Sequence, residues 1–588
     1  MTMFISVGRH FFGSSSKLGT AQTKYIAMSF EKVLHHIGGF GLFNRTIMVA
    51  LVILSTWHTS IAYFSHLFVL ITPSGQWCFV NGSNVEDIDL TALPHKKCQI
   101  VWTTLQNDSA TSNVQETCAS GWRYDKDEVF LTLTMENDWV CGNSWKLYSV
   151  HTAYWIGSMV GYLITGLLAD KIGRKNTVCL FVLLSCTANI AGIFITSHLG
   201  FVLLRVLAGA GCYTVCSAAF VLAMEYTVSE RRTLMASVWS LNWALLATGF
   251  PWVAYYLQSW RWLLACNGVI DSLLLFTLWW APESSSWLIS TGRSEEALDI
   301  LERIAKFNRK TVSRESIAKA LQLDTDGATA EQPSTNAEKS RPGFWKTTFA
   351  LMATPRLRKV TLMMYSTWFI ICMCYNVNNM ELGRLGLDVY STYSIAMAFE
   401  LPVSVFCLLA LDRLGRRWPN VTFMLIGGAV GIAVYIVRTD SSMWRLIMAV
   451  ACMVAWAGSY NITYQLSSEV FPTVIRGRGV LLQRVTGDIG SCLGTQVAAL
   501  AEYDRLLPTL VLGILSLVGT VMVFFLPETV GLPLPQTVED GEEFGKDQGL
   551  CFCPVFASRA RRNRSTTTTC NVTTNKSFEF EKEMEGKT

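Results

Sequence analysis

The chain has 588 residues, of which 51% are hydrophobic and only 16% charged, against roughly 25% charged in an ordinary soluble domain. With 20 Trp and 31 Phe and a mean hydropathy of +0.32, it is too apolar for a disordered chain, a coiled coil or a small disulfide scaffold. Lys and Arg number 48 against 44 Asp and Glu, a net charge of +4, without the basic excess of a nucleic-acid binder.

A helix crossing roughly 30 Å of hydrocarbon needs about 20 mostly apolar residues, and the sequence offers about twelve such runs. Residues 1–46 precede the first, which extends from about Ile47 to Ile71. Residues 1–27 differ in character from the rest of the chain, and Met28-Ser29-Phe30-Glu31 reads as a second start. No signal peptide is expected, so the first span does the targeting. A loop over residues 72–147 separates it from runs beginning near Tyr148, Thr177, Phe201, Leu234 and Trp262, which complete a six-span unit over residues 47–281. A linker over residues 282–359 leads to runs beginning near Val360, Thr392, Val421, Trp444, Val480 and Leu507, within residues 360–526, and a tail over residues 527–588 completes the chain. The expected fold is an all-α membrane protein with twelve transmembrane helices and the lipid bilayer as its solvent.

Charge placement orients the spans, because short cytoplasmic loops collect Lys and Arg. The loops after spans two (Lys171, Arg174, Lys175), four (Arg231, Arg232), eight (Arg413, Arg416, Arg417) and ten (Arg476, Arg478) are basic, whereas Thr196–Gly200 holds no Lys or Arg. Both termini are expected in the cytoplasm and the 72–147 loop outside. That loop carries Cys78, Cys98, Cys118 and Cys141 as candidate disulfide cysteines, and Asn81-Gly-Ser and Asn107-Asp-Ser as candidate glycosylation triplets. Both features suit an oxidising face. Four cysteines allow three pairings, all of which stay open. In the linker, Ser294 to Phe307 reads as an amphipathic helix with Glu295 and Glu296 in its first turn, and Thr311 to Pro342 is polar. Cys551 and Cys553 in the tail, near Arg559, Arg561, Arg562 and Arg564, pose palmitoylation against an unmodified basic tail.

Self-similarity appears at one offset. Asp170-Lys-Ile-Gly173-Arg174-Lys175 recurs as Asp412-Arg-Leu-Gly415-Arg416-Arg417, roughly 242 residues later. Glu225 ahead of Arg231 recurs as Glu469 ahead of Arg476, and Pro282-Glu283-Ser284 as Pro527-Glu528-Thr529. The chain therefore reads as two six-helix pseudo-repeats, the architecture in which two halves rock about a midplane site. An Asp at a helix end, a Gly turn and two cations suit an interhelical ion-pair network. Asp170, Gly173, Arg174, Lys175, Glu225, Arg231, Asp412, Arg416, Arg417, Glu469 and Arg476 are the expected gating residues, holding an inner gate closed.

Gly166-Leu-Leu-Ala-Asp170-Lys-Ile-Gly173-Arg174-Lys175 resembles the hallmark loop of the major facilitator superfamily. Pro282-Glu-Ser-Ser-Ser-Trp287-Leu and Pro527-Glu-Thr529 resemble its sugar-porter and organic-ion branches. The cysteine-bearing loop ending Trp139-Val-Cys141-Gly-Asn-Ser-Trp145-Lys146 is similar to that of solute carrier family 22, the organic cation, anion and carnitine transporters. The resemblance runs from about Met28 to Glu543 and implies the major facilitator fold, uptake of small organic ions and a plasma-membrane location.

Ionisable groups within a bilayer cost at least ~2.5 kcal/mol and mark solute paths. Asp488, about eight residues into span eleven, and Glu400, near the middle of span eight, are the candidate substrate carboxylates. The competing reading of Asp488 is a buried ion pair with Arg484, one helical turn earlier. The resemblance places Asp488 on the Cys-Asp-Ile-Gly-Gly stretch of the cation branch and Glu400 on the family's Glu-Ile-Pro motif. Trp368 and Tyr375 match aromatic positions of that branch, and Phe220 and Tyr213 stand on span four, so ring faces would meet a cationic head. For any single ring, core packing is the competing explanation. Departures exist: Tyr213 stands where Lys is frequent, Cys216 where Trp is frequent and Asn461 where Gln is usual. Ala501 to Pro508 looks more like the carnitine branch.

No enzyme motif is present, and neither cofactor nor metal is expected. His58, His66 and His151 read as packing or cavity groups rather than ligands. A proton-coupling role for His151 is open, and uptake insensitive to pH between about 5.5 and 8 would remove it. The expected function is alternating-access uptake of small organic cations. A carnitine-like or amino-conjugate zwitterion is the runner-up, and a transport-inactive receptor the alternative of another class. No nucleic-acid partner is expected, and homo-oligomerisation is left open.

Overall fold

The computed structural model describes residues 30–73, 76–78, 99–106, 109–117, 122–124, 129–321, 348–385, 388–438, 441–530, 532, 534–546 and 548–549. Among these, twelve long helices run in chain order: α1 (Val49–Val69), α2 (Ser144–Ile172), α3 (Arg174–Phe194), α4 (His198–Glu225), α5 (Arg232–Leu257), α6 (Trp260–Trp280), α7 (Pro355–Leu382), α8 (Val389–Leu414), α9 (Arg417–Val437), α10 (Ser442–Val470), α11 (Arg476–Ala499) and α12 (Leu507–Phe524). The expected count of spans holds. Ten of these helices are apolar enough to be recognised as spans by length and composition. The other two, α5 and α11, both contribute to the wall of a central cavity between the halves.

Within each half, glycines let backbones cross closely, the small-residue packing that substitutes for a hydrophobic driving force in lipid. A Cβ on Gly157 or Gly161 of α2 would meet the α4 carbonyls of Val206 or Ala210 at 2.0 and 2.3 Å, and one on Gly490 of α11 would meet the Phe369 carbonyl of α7 at 2.3 Å. The loop helices add further packing. Ser294–Phe307 is helical as expected and buries Leu298, Leu301, Ile304 and Ala305. Short helices over Ser285–Ser290 and Arg314–Leu321 flank it.

The 72–147 loop departs from an all-helical chain. It holds two antiparallel pairs, β1 (Gln76–Cys78) with β4 (Trp122–Tyr124) and β2 (Gln99–Gln106) with β3 (Ser109–Thr117). Ile, Val, Trp and Thr in the β2 run favour a pleated strand over a helix. The loop returns to the bundle through Glu136, whose carboxylate accepts from Trp260 Nε1 at 2.7 Å and from Arg261 Nη2 at 2.6 Å. The Arg261 hydrogen bond holds that carboxyl below the usual Glu range.

The repeat is visible in the backbone. Gly173 and Gly415 end α2 and α8 with φ of +96° and +89° and ψ of 167° and 179°, a region open essentially to glycine alone, where an L side chain is strained by roughly 1–3 kcal/mol. A Cβ on Gly173 would also meet Glu283 Oε2 at 2.3 Å. Gly173→Val is therefore expected to destabilise the fold by roughly 1–3 kcal/mol or more. The check is thermal unfolding of the detergent-solubilised protein, where a Tm equal to wild type would contradict the strain.

Candidate functional site

A cavity of about 240 Å³ lies between the halves. Of the residues singled out from the sequence, Tyr213 and Phe220 on α4, Tyr375 on α7, Glu400 on α8, Asn461 on α10 and Asp488 on α11 line it. Trp368 does not. It is fully buried behind the wall, its ring 4.6 Å from that of Tyr460 and against Gly487 of α11. Two helical turns separate it from Tyr375, so both share a face of α7, but the α10–α11 packing closes over that face before it reaches Trp368. Its role is to back Tyr460.

Asp488 is 2% exposed and already partnered. Its Oδ2 accepts from Ser158 Oγ of α2 at 3.0 Å, and its Oδ1 lies 3.7 Å from Arg484 Nε. Arg484 also lines the cavity. Its guanidinium donates to Tyr460 Oη at 2.7 Å and stands over the rings of Tyr213 (4.3 Å) and Tyr162 (5.3 Å). The reading of Asp488 as a free anion toward solute is thus corrected in favour of the ion pair. A lone carboxylate and a lone guanidinium would each be prohibitive in lipid, whereas one turn of helix lets them neutralise each other.

Glu400 is different. It sits where α8 breaks into Val389–Ala398 and Glu400–Leu414. Pro402 two residues on lacks the N–H that would have bonded to Ala398, which accounts for the break. Glu400 thereby occupies the first turn of a new helix, where the N–H dipoles favour a negative charge. Its carboxylate accepts from Tyr375 Oη at 2.7 Å, and among the described residues no basic side chain pairs with it. Trp239 and Trp243 of α5 and Tyr460 of α10 complete an aromatic wall. These rings are not among the residues singled out from the sequence, where Arg484 stands only as the competing partner of Asp488, although the Trp–Ser–Leu–Asn–Trp run of α5 has the polarity of a cavity face.

On the side of the 72–147 loop the halves are tied by neutral hydrogen bonds. Tyr63 Oη of α1 donates to Asn376 Oδ1 at 3.0 Å and accepts from Asn379 Nδ2 at 3.2 Å. Ser394 Oγ donates to the Thr248 carbonyl at 2.9 Å, and the Thr152 and Thr495 hydroxyls lie 2.6 Å apart. Phe68 packs on Tyr390 and Tyr393 across the same seam. In the opposite direction the lining continues through Leu481, Val480, Gly477 and Arg476, toward the basic-loop ends of the helices.

The repeated charges near those ends form two matching relays. Arg174 lies 3.5 Å from Asp170 and 3.5 Å from Glu225. Arg416 lies 2.8 Å from Asp412 and 3.2 Å from Glu469. Glu283 accepts the Arg174 and Lys175 backbone N–H groups at 2.8 and 3.0 Å, and Glu528 those of Arg416 and Arg417 at 2.9 and 3.0 Å. Arg476 Nε donates to the Phe471 carbonyl at 2.9 Å, and Arg231 is exposed. The expected interhelical pairs with Glu225 and Glu469 are present, and each of these links joins groups of one half. They brace each half, because a helix N-terminus needs an acceptor within its own bundle. Across the halves, Asp170 and Arg478 of α11 attract each other electrostatically.

Cys141 is disulfide-bonded. The side chains of Cys78, Cys98, Cys118, Asn81 and Asn107, and the tail cysteines Cys551 and Cys553, lie outside the described residues.

Twelve helices in two matching halves around a solute-sized cavity define a major facilitator transporter, not an enzyme. A family described as "Sugar (and other) transporter" matches residues 105–540. The chain is 29% identical over 533 residues to human solute carrier family 22 member 13, covering 87% of this chain and 93% of that one. It is 30% identical over 429 residues to the rat organic cation/carnitine transporter 2, covering 72% of this chain and 74% of the relative. The fold is similar to the partially occluded inward open conformation of the xylose transporter XylE from E. coli, with a TM-score of 0.53 at 15% identity over 87% of this chain and 100% of that one. The chain belongs to solute carrier family 22, within the sugar (and other) transporter family, and is a multi-pass membrane transporter of small organic solutes.

Asp488→Asn leaves Arg484 buried with tyrosines alone and is expected to cost about 3–5 kcal/mol of stability, seen as a lower Tm in detergent. Combining it with Arg484→Met should restore most of that loss. Additive losses in the double variant would contradict the pairing.

Proposed function

We propose that this transporter carries small organic cations by alternating access, with the cationic group held at Glu400 and the apolar body against Tyr375, Phe220 and Trp243. One observation carries the reading: Glu400 lines the cavity among aromatic rings without a basic partner among the described residues. Ring faces add roughly 0.5–2 kcal/mol to the attraction of a cation. Asp488, Arg484, Tyr213 and Asn461 shape the opposite wall, and Trp368 supports it from behind.

The basic loops support a cytoplasmic placement of their face and of both termini, with the 72–147 loop outside the plasma membrane. The arrangement is then sealed outside and extended inward. Rocking of the two braced halves would open the Tyr63–Asn376 seam and close the Asp170–Arg478 side. An inside-negative potential favours entry of a cation by ~2.3 kcal/mol per charge per 100 mV.

A second reading, a zwitterion carrier, is favoured by Arg484, whose guanidinium also lines the cavity and would receive a carboxylate while Glu400 receives the amine. The name of the rat relative joins both substrate types.

Initial-rate uptake of a quaternary ammonium, carnitine, a β-alanine conjugate and an organic anion, with and without sodium and at two membrane potentials, tests these readings. Potential-driven, sodium-independent uptake of the quaternary ammonium supports the first, and preference for a zwitterion moves the protein to the second. Glu400→Gln at equal surface expression is expected to lower kcat/KM for the cation at least about tenfold, or ~1.4 kcal/mol. Unchanged saturation would place the charge elsewhere.

A further inference from the structure

Two buried histidines meet one to two turns below the sealed face. His151 Nδ1 of α2 lies 3.0 Å from His66 Nε2 of α1, and the two residues are 4% and 2% exposed. The His66 ring stacks on Tyr154 at 4.0 Å, with 10° between planes, which fixes its orientation. In the neutral pair one ring donates its N–H and the other accepts. His66 Nδ1 has no hydrogen-bond partner among the described residues.

The pair is placed at the seam between halves. His151 lines a second, small cavity of about 20 Å³ whose other walls include Leu67 and Thr72 from the α1 end, and Arg384 and Tyr393 from the second half. Charged and titratable groups face the pair from every side: Tyr154 on α2, Arg205 on α4, Arg384 just after α7, and Tyr393 on α8. Arg384 is itself held by Glu381 at 3.2 Å and by Tyr148 Oη of α2 at 2.8 Å. That last bond is one of those closing the seam. Arg205 is committed to Asn189 Oδ1 at 3.1 Å and to the Phe201 ring.

We propose that the His66–His151 pair is a proton-binding site that opens the long-loop face of the transporter. A proton from water on that side is taken up at the bare outer nitrogen of the ring that donates, which for His66 is the unpartnered Nδ1, and the resulting imidazolium keeps its other N–H donated to the neutral partner ring. The added positive charge faces Arg205 and Arg384 in a water-poor pocket, where like charges repel strongly. Separation of the halves relieves that repulsion by admitting water at Arg384 and loosening its bond to Tyr148. Acid on the long-loop side therefore shifts the population toward the state open to that side, by as much as the two states differ in proton affinity.

The test needs no transported substrate, so its outcome is independent of the reading at Glu400. Cys372 lines the central cavity behind the seam, and a membrane-impermeant thiol reagent applied from the long-loop side reaches it when the seam is open. The signal is the labelling lost on Cys372→Ser. Labelling of the full-length protein, divided at each pH by the labelling of the same thiol in the denatured protein so that the loss of thiolate cancels, is expected to rise about threefold or more as pH on that side falls from about 7.5 to 5.5. His151→Gln and His66→Gln should each flatten this profile. Arg384→Gln, which keeps both histidines, should flatten it as well and serves if a histidine variant fails to reach the surface. A flat wild-type profile, or a slope that survives in these variants, overturns the proposal.

Discussion

Lipid offers neither hydrogen bonds nor counter-ions, so each charge inside the bilayer has to find its partner within the protein. The architecture of this transporter depends on how that requirement is met. Arg484 and Asp488 neutralise each other across one turn of α11, with Tyr460, Tyr213 and Tyr162 absorbing the rest of the guanidinium. Asp271 of α6, wholly buried, lies 2.5 Å from His58 of α1 and so ties α1 to α6. Arg205 is held by Asn189 and the face of Phe201. Glu400 alone of these groups relies on a helix N-terminus, a tyrosine hydroxyl and the Trp243 side chain, with its carboxylate lining the cavity.

The same requirement explains why the halves behave as bodies. Where α2 meets α3 and α8 meets α9, a glycine turn exposes the first N–H groups of the next helix, and Glu283 or Glu528 fills the gap. Both carboxylates come from the far end of their own half, so each bundle is locked end to end. Arg174 and Arg416 then hold the ends of α4 and α10 through Glu225 and Glu469. With these strong links confined within halves, relative motion of the halves does not require breaking them.

Much of this was legible in the sequence, and the exceptions have physical reasons. The spans were legible because hydrocarbon demands long apolar runs, and α5 and α11 were found despite their polarity because Leu, Val and Ala still interrupt it. The duplication was legible because loop signatures keep their spacing. The ion pair of Arg484 with Asp488 was visible as an i,i+4 spacing, but whether it or a free carboxylate faces the cavity depends on α2 and α10, which local spacing does not report. The capping roles of Glu283 and Glu528 join groups 109 and 112 residues apart, and the His58–Asp271 contact spans 213; no periodicity encodes such separations. Trp368 illustrates the converse, since helical spacing gave its face correctly but not the depth at which neighbouring helices cover it.

The kind of bond that closes the long-loop seam sets the energetics of transport. The long-loop seam is made of uncharged hydrogen bonds between Tyr63, Asn376, Asn379, Ser394, Thr152 and Thr495, each worth about 0.5–1.5 kcal/mol net. A handful of such bonds totals a few kcal/mol, the range in which two conformations coexist and a bound solute can shift their populations. Had the seam been closed by buried ion pairs, separating them would have cost several kcal/mol apiece, and binding at a single carboxylate could not have offset it. Ion pairs are instead placed where they brace a half or face the solute, and where a charge does reach across the halves, as at Asp488, Glu502 and Arg384, its partner there is an uncharged hydroxyl. A carrier that cycles between two faces requires that division, because its barrier must be low enough for a ligand of ordinary affinity to cross.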